Sequence, residues 1–225
     1  RVLEKLGRYE EAIQNYTATT RLEDPTSHAY LRIGKCYERI QREEEALYYY
    51  YLTVHEDPLL DKGWLAITDF YLGKEDYPKA QEYIDKALNI DGENATYWKR
   101  SGIIHKALQQ IHEADFAFKQ ATELGNYEMD TWLLWAEVLR DCRELEAAVL
   151  ILQQAMEFHP ESAEIQYQLA GICLLLDEAD KGCNALKKAL DQSPDKFAFF
   201  EKTFPEISRA SWVQRMVREC RKASK

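Results

Sequence analysis

The sequence predicts an all-α solenoid, a stack of antiparallel helix hairpins, from one period that runs through most of the chain. Trp64, Trp98 and Trp132 follow one another at a constant interval. Small residues and helix-breaking residues keep the same interval. The 225-residue chain has only 9 Gly and 6 Pro, which disfavours sheets joined by tight turns. A fixed period of this length is the signature of a repeat architecture.

Small residues recur where the two helices of a hairpin would cross. One series falls in the second helix of each hairpin: Ala12, Ala46, Ala80, Ala114, Ala148 and Gly182. Helices approach to about 8–10 Å only where the side chains at the crossing permit it. The series therefore predicts close packing within each hairpin. Pro58 and Pro160 fall at unit ends, where proline stops one helix before the next begins.

The period divides the chain into a partial unit at residues 1–26 and five complete units. The complete units are predicted at residues 27–60, 61–94, 95–128, 129–162 and 163–196. In each unit we expect a first helix, the A helix, then a short turn and a second helix, the B helix. The period is expected to stop after Pro194, so residues 197–225 are assigned to a C-terminal cap.

The cap is predicted to contain an amphipathic helix that begins at Pro205. Its apolar residues share one stripe, made of Trp212, Val213, Met216, Val217 and Cys220. Such a helix can cover the apolar face that the last repeat of a solenoid leaves open, and we adopt this interpretation. The alternative is a membrane-surface helix, because the same segment is rich in arginine.

These registers resemble the tetratricopeptide repeat, most clearly over residues 61–94, where Trp64, Tyr71 and Ala80 occupy its signature positions. The resemblance covers about residues 1–196. It implies a right-handed superhelix whose A helices line a concave face. The signature residues are packing residues, so the resemblance implies function only in general terms, as the binding of another protein.

Composition excludes several classes of function. The formal net charge is −10, so the chain as a whole repels nucleic acid and anionic membranes. No segment approaches the roughly 20 apolar residues of a membrane span. The five cysteines are scattered without a CxxC pair, which indicates neither a zinc site nor a disulfide framework. Free thiols are typical of a reducing compartment, so we expect a cytoplasmic location.

Motifs of catalysis and cofactor binding are missing from the sequence. It contains no glycine-rich phosphate loop, HExxH or GxSxG pattern. Its histidines are not at metal-ligand spacing on one helix, since His105 and His112 are separated by a predicted turn. We therefore expect no catalytic residues, no bound metal, no cofactor and no enzymatic activity.

The resemblance implies a binding surface built from A-helix residues of successive units. In this sequence that surface is basic in the earlier units and apolar with acidic residues in the last two. The predicted ligand-binding residues are Lys35, Arg39, Lys62, Lys99, Arg100, Lys106, Leu133, Tyr167 and Leu174. A basic strip on an acidic chain is a local reversal of charge, which favours a ligand-binding surface. The alternative interpretation is that these residues form ordinary solvated helix faces.

From these patterns we expect a protein–protein interaction scaffold that holds a peptide segment or a partner helix along the concave face. Basic residues would pair with an acidic segment of the partner, and apolar residues would serve as anchors. Neither nucleic acid nor a membrane span is expected. Two alternatives stay open: a self-associating array, with the basic end of one copy against the acidic end of another, and a regulatory repeat region of a larger protein whose catalytic part lies upstream.

Overall fold

The computed structural model describes residues 2–22 and 26–223, and those residues form helices and turns with no strand. The chain divides into two compact units, unit 1 (residues 1–109) and unit 2 (residues 110–225). In each unit, helices that follow one another along the chain pack side by side. The predicted class, an all-α solenoid, is confirmed.

In unit 1 the A helices begin at the constant interval that the sequence predicts, and each packs against the B helix before it. The helices of its described residues are α1 Val2–Lys5, α2 Tyr9–Leu22, α3 Ser27–Arg39, α4 Glu43–Glu56, α5 Asp61–Gly73, α6 Tyr77–Ile90 and α7 Ala95–Ala107. The A helices are α3, α5 and α7, and the B helices that precede them are α2, α4 and α6.

Unit 2 continues the same alternation and then departs from it. The helices of its described residues are α8 Ile111–Glu123, α9 Met129–Asp141, α10 Leu145–Phe158, α11 Ala163–Leu175, α12 Ala179–Gln192, α13 Phe197–Thr203, α14 Pro205–Ser208 and α15 Ser211–Ala223. A single 3₁₀ turn, Pro194–Lys196, joins α12 to α13. Beyond α12, α13 packs against α11, and α15 packs against α12.

Small residues permit the close approach of A and B helices. Ala46 and Ala80 are buried at the hairpin crossings. Gly34 shows how little space remains there, because a Cβ at this position would lie 2.5 Å from Cε1 of Tyr50. At that distance an alanine would force α3 and α4 apart, so the crossing requires the glycine.

Each A helix ends in the same kind of turn. A left-handed backbone conformation, with φ between 57° and 64°, recurs once in each repeat, at Gln41, Glu75, Gln109, Arg143 and Asp177. The N–H of the following residue donates to the carbonyl oxygen five residues earlier, as when Arg42 N donates to Tyr37 O at 2.9 Å. This is a Schellman closure, which satisfies carbonyls at the helix end. Those hydrogen bonds offset the cost of about 1–2 kcal/mol for a non-glycine residue in this conformation.

The A-helix register extends past Pro194, contrary to expectation. α13 begins at Phe197, one full period after the start of α11, and Phe200 holds the position that tryptophan holds in earlier units. The helix ends after 7 residues. Pro205 follows, and the residue before a proline is disfavoured in the α region; Phe204 accordingly has φ −132° and ψ 65°.

The apolar stripe of α15 is only partly used in packing. Val213 and Val217 are buried, with 0% and 3% of their surface exposed. Trp212 stays 39% exposed, and Met216 is half-buried. The helix therefore covers α12 with its valines and leaves the tryptophan facing solvent.

A pair of glycine substitutions tests the packing of the C-terminal segment. A Cβ on Gly171 would lie 2.3 Å from ring atoms of Phe204, so Gly171→Ala should destabilise unit 2 by about 1–3 kcal/mol through overpacking. Gly73→Ala, with no heavy atom within 4 Å of the new Cβ, should stabilise unit 1 by roughly 0.4–1 kcal/mol. Urea melts of both variants measure the difference. A G171A chain as stable as the parent would show that Phe204 does not rest on α11.

Candidate functional site

Two A helices of unit 1 present basic side chains to solvent. Lys35 and Arg39 lie four residues apart on α3, hence on one side of it, and both are exposed, as is Lys62 in the first turn of α5. Lys35 and Arg39 line a cavity of about 260 Å³ together with Lys5 and Glu4. Three cations around one cavity favour an anionic group.

Glu4 is held by partners inside unit 1. Arg32 Nη1 lies 3.0 Å from Glu4 Oε2, and the Tyr16 hydroxyl donates to Glu4 Oε1 at 2.6 Å. Burial raises the pKa of the Glu4 carboxyl, but the hydrogen bonds from Tyr16 and Arg32 outweigh it, and the pKa is lowered from its ordinary value. Among the described residues, no ion pair involves Lys35 or Arg39.

Two of the three cations predicted from α7, Arg100 and Lys106, are less accessible. Arg100 Nε donates to Asp69 Oδ1 at 2.6 Å, so its guanidinium is balanced by a carboxylate of α5. Lys106 is half-buried. The open basic surface therefore centres on Lys35, Arg39 and Lys62, and we call these three residues the basic A-helix surface of unit 1.

Three of the predicted residues are not on an open surface, and the expectation that they are is wrong. Lys99, Leu133 and Tyr167 are 5%, 8% and 0% exposed. All three hold the fifth position of an A helix, and this position is covered by packing. The ring of Tyr167, for example, lies 6.1 Å from that of Phe197 and 5.9 Å from that of Phe200, both in α13.

Leu174, predicted as an apolar anchor, packs largely within its own hairpin. Its Cγ would lie 2.6 Å from a Cβ placed on Gly182 of α12. The side chain is half-buried, while the next residue, Leu175, is 47% exposed. Most of the predicted apolar surface of unit 2 is therefore internal.

The chain itself covers the end of the A-helix face in unit 2. Phe204 lies over Gly171, and the Arg140 guanidinium carbon lies 5.5 Å from the centre of the Phe204 ring. Arg140 Nη1 also donates to the carbonyl oxygen of Thr203 at 3.3 Å. Sequence reasoning missed these contacts. The available signal was Phe200, an aromatic residue in the tryptophan register.

Unit 2 also carries a stack of aromatic rings that the sequence did not single out. The rings of Tyr127 and Phe158 are stacked with centroids 4.2 Å apart. The centroid of the Trp132 ring lies 6.5 Å from that of Tyr127 and 6.0 Å from that of Phe158. Tyr127 and Phe158 are 44% and 46% exposed, and Trp132 is 3% exposed. Trp64 and Trp98 donate their indole N–H to a carbonyl six residues earlier, whereas Trp132 Nε1 has no acceptor among the described residues.

Within the described ranges, His, Cys, Asp and Glu side chains nowhere gather in a group of three or more that could hold a metal ion. In those same ranges, no helix has the length and apolar character needed to cross a membrane.

Comparison with known proteins identifies the family. Residues 2–201 match the family model described as the Cilia and flagella-associated protein 70 C-terminal domain. The chain belongs to this family. The match runs from α1 into α13 and stops before α14 and α15.

Other relatives share part of the repeat array. The general transcriptional corepressor trfA of Dictyostelium discoideum is 25% identical over 103 residues, which are 46% of this chain and 7% of the relative. The Photosystem I assembly protein Ycf3 of Sorghum bicolor is 31% identical over 105 residues, which are 42% of this chain and 57% of the relative. The chain thus spans well under two thirds of the length of both.

Solved structures of tetratricopeptide proteins share the fold. YrrB, described as a TPR protein with an unusual peptide-binding site, has a TM-score of 0.73 at 20% identity, covering 83% of this chain and 96% of YrrB. MamA has a TM-score of 0.71 at 18% identity, covering 80% of this chain and 97% of MamA. The resemblance to the tetratricopeptide repeat is confirmed, and in general such arrays offer extended binding surfaces to other proteins.

Tyr167 should behave as a packing residue of this family member. Tyr167→Ala should lower the free energy of unfolding by about 3–5 kcal/mol, because the side chain is fully buried. Tyr167→Phe should cost only about 1 kcal/mol, since it keeps the ring and removes the hydrogen bond from the hydroxyl to Ser193 O at 3.1 Å. Denaturant titrations followed by circular dichroism check both values. If Y167A has the same free energy of unfolding as the parent, Tyr167 is again a candidate surface anchor.

Proposed function

We propose that this chain is a protein-interaction scaffold and that its unit 1 binds an acidic peptide segment on the basic A-helix surface formed by Lys35, Arg39 and Lys62. The observation that carries the proposal is the cavity of about 260 Å³ at which Lys35, Arg39 and Lys5 meet on a chain of net charge −10. YrrB, which shares the fold, is described as having a peptide-binding site, and this supports a peptide as the class of partner.

The chemistry of recognition follows from the kinds of cation present. Arg39 can hold a carboxylate with two parallel hydrogen bonds, while Lys35 and Lys62 act as point charges. Because all three side chains are exposed, each pair would contribute modestly, and binding would depend on several carboxylates spaced along one segment. Long-range attraction to the basic surface would raise the association rate and would weaken as salt is added.

The remaining predicted residues enter the proposal with smaller roles. Lys106 extends the basic surface along α7 from a half-buried position. Arg100 is balanced by Asp69 and could contribute only by exchanging that carboxylate for one on the partner. Lys99, Leu133 and Tyr167 are buried and Leu174 is half-buried, so these four residues are not part of this surface.

Charge reversal of the basic surface tests the proposal. The triple variant Lys35→Glu, Arg39→Glu, Lys62→Glu should keep its helicity, because all three side chains are exposed. It should lose at least about tenfold in affinity for partners bound through these charges. The measurement is quantitative mass spectrometry of proteins captured from cell extract by parent and variant at low salt, followed by direct binding of the proteins that differ.

A matched control separates the surface from total charge. The variant Lys74→Glu, Lys79→Glu, Lys86→Glu makes the same change in net charge elsewhere in unit 1. It breaks solvent-exposed ion pairs, which contribute little to stability, and contacts of the three lysines with aromatic rings, so its melting temperature is compared with that of the parent first. The control should capture the same partners as the parent. If both variants capture the parental set equally well, partners dock away from the A helices and the proposal fails.

A further inference from the structure

We propose that α15 of one copy docks, through its outward basic face, on the exposed aromatic stack of unit 2 in a second copy of this chain. The charge of unit 2 is divided sharply along the sequence. Residues 110–180 carry 15 acidic and 3 basic side chains, whereas residues 181–225 carry 5 acidic and 11 basic. This surface is separate from the basic A-helix surface of unit 1, so neither proposal depends on the other.

The acceptor is an acidic–aromatic surface made of Tyr127, Phe158, Glu157 and Glu161. The two rings stack on each other and are each nearly half exposed. Both glutamates are exposed, and Glu161 lines an open cavity of about 450 Å³. Rings next to carboxylates suit a guanidinium, which can stack on an aromatic face and pair with an acid at the same time.

The helix ends at this surface strengthen its preference for a cation. Glu123 and Glu157 occupy the last turns of α8 and α10, and neither last turn contains a basic residue. The C-terminus of a helix carries a partial negative charge that repels a carboxylate and attracts a cation. Lys119, 3.9 Å from Glu123, offsets one of these charges. Glu157 takes part in no ion pair within the described part of the chain, so a docked arginine would relieve its repulsion.

The ligand is the basic face of α15, made of Trp212, Arg215 and Arg218. Their spacing of three residues places them on one side of the helix, and all three are exposed. Val213 and Val217 are buried, so the valines of the apolar stripe are already used in packing inside unit 2. No ion pair among residues 2–22 and 26–223 uses either arginine.

Two observations favour a second copy over other acidic partners. Both surfaces belong to the same chain with opposite charge, and both stay exposed within a single copy. A membrane is disfavoured because Val213 and Val217 are buried, which leaves only Trp212 and part of Met216 as apolar surface on α15. Nucleic acid is disfavoured by the net charge of −10. Because the contact joins two different surfaces, it is head-to-tail and can continue from copy to copy.

The test begins with the mass of the 225-residue chain in solution. Sedimentation velocity over a series of protein concentrations at low salt should show the mean mass rising with concentration. Added salt should return it to that of a monomer, since the contact is charged. A chain that is monomeric at every concentration and at low salt would overturn the proposal.

Two charge-reversal variants then locate the contact. Glu157→Lys with Glu161→Lys removes the acceptor, and Arg215→Glu with Arg218→Glu removes the ligand. Each variant alone should associate at least about tenfold more weakly than the parent. Mixed in equal amounts, the two should associate again, because E157K/E161K supplies an intact α15 for the intact acceptor of R215E/R218E, and the two reversed surfaces also carry opposite charges. A mixture that stays monomeric would overturn the pairing of these two surfaces.

Controls exclude net charge and the unit 1 site as causes. Glu113→Lys with Glu146→Lys makes the same charge change at the opposite ends of α8 and α10, where both glutamates are exposed, and should associate like the parent. The K35E/R39E/K62E variant should also still associate. Loss of association in either control would overturn the proposal. The neutral pairs E157Q/E161Q and R215Q/R218Q repeat the comparison should a reversal lower the melting temperature.

Discussion

The rest of the structure depends on the close approach of A and B helices at small residues. Gly34 lies against Tyr50, and Gly182 lies against Leu174, at distances that leave no room for one more carbon atom. Small residues recur at both positions with the period of the sequence, so within each unit the A helices pack with a similar rotation about their own axes. That rotation determines which A-helix positions face neighbours and which face solvent.

A common rotation explains why the basic residues behave so differently. The fifth position of α3, α7, α9 and α11 is buried, so Lys99 is buried with the apolar residues of that register, its long aliphatic stem serving as packing surface. The ninth and thirteenth positions of α3, Lys35 and Arg39, are open. Charge alone is therefore a poor guide to accessibility in such an array.

The two units differ in what remains free for a partner. In unit 1 the basic A-helix surface keeps its cations exposed, and two of them, Lys35 and Arg39, line a cavity. In unit 2 the equivalent face is covered by the segment that ends in Phe204. Arg140 packs over the Phe204 ring and donates a hydrogen bond to the carbonyl oxygen of Thr203. What unit 2 leaves open lies elsewhere, on the aromatic stack and on the basic face of α15. The two proposals thus assign different partners to different units.

The sequence by itself determined the helix hairpins and their period, because the small residues, the aromatic register and the breakers act over distances of one or two turns. It also indicated that Lys35, Arg39 and Lys62 are cations on A helices, since the repeat register shows which residues fall in those helices. Only the tertiary structure decided that Lys99, Leu133 and Tyr167 are covered and that Phe204 rests on Gly171. The physical reason is that helical periodicity reports which side of a helix a residue occupies, whereas burial depends on what packs against that side. For α11 the covering residues lie in α13, which is too short to show a clear helical period, and at Phe204, the residue before a proline.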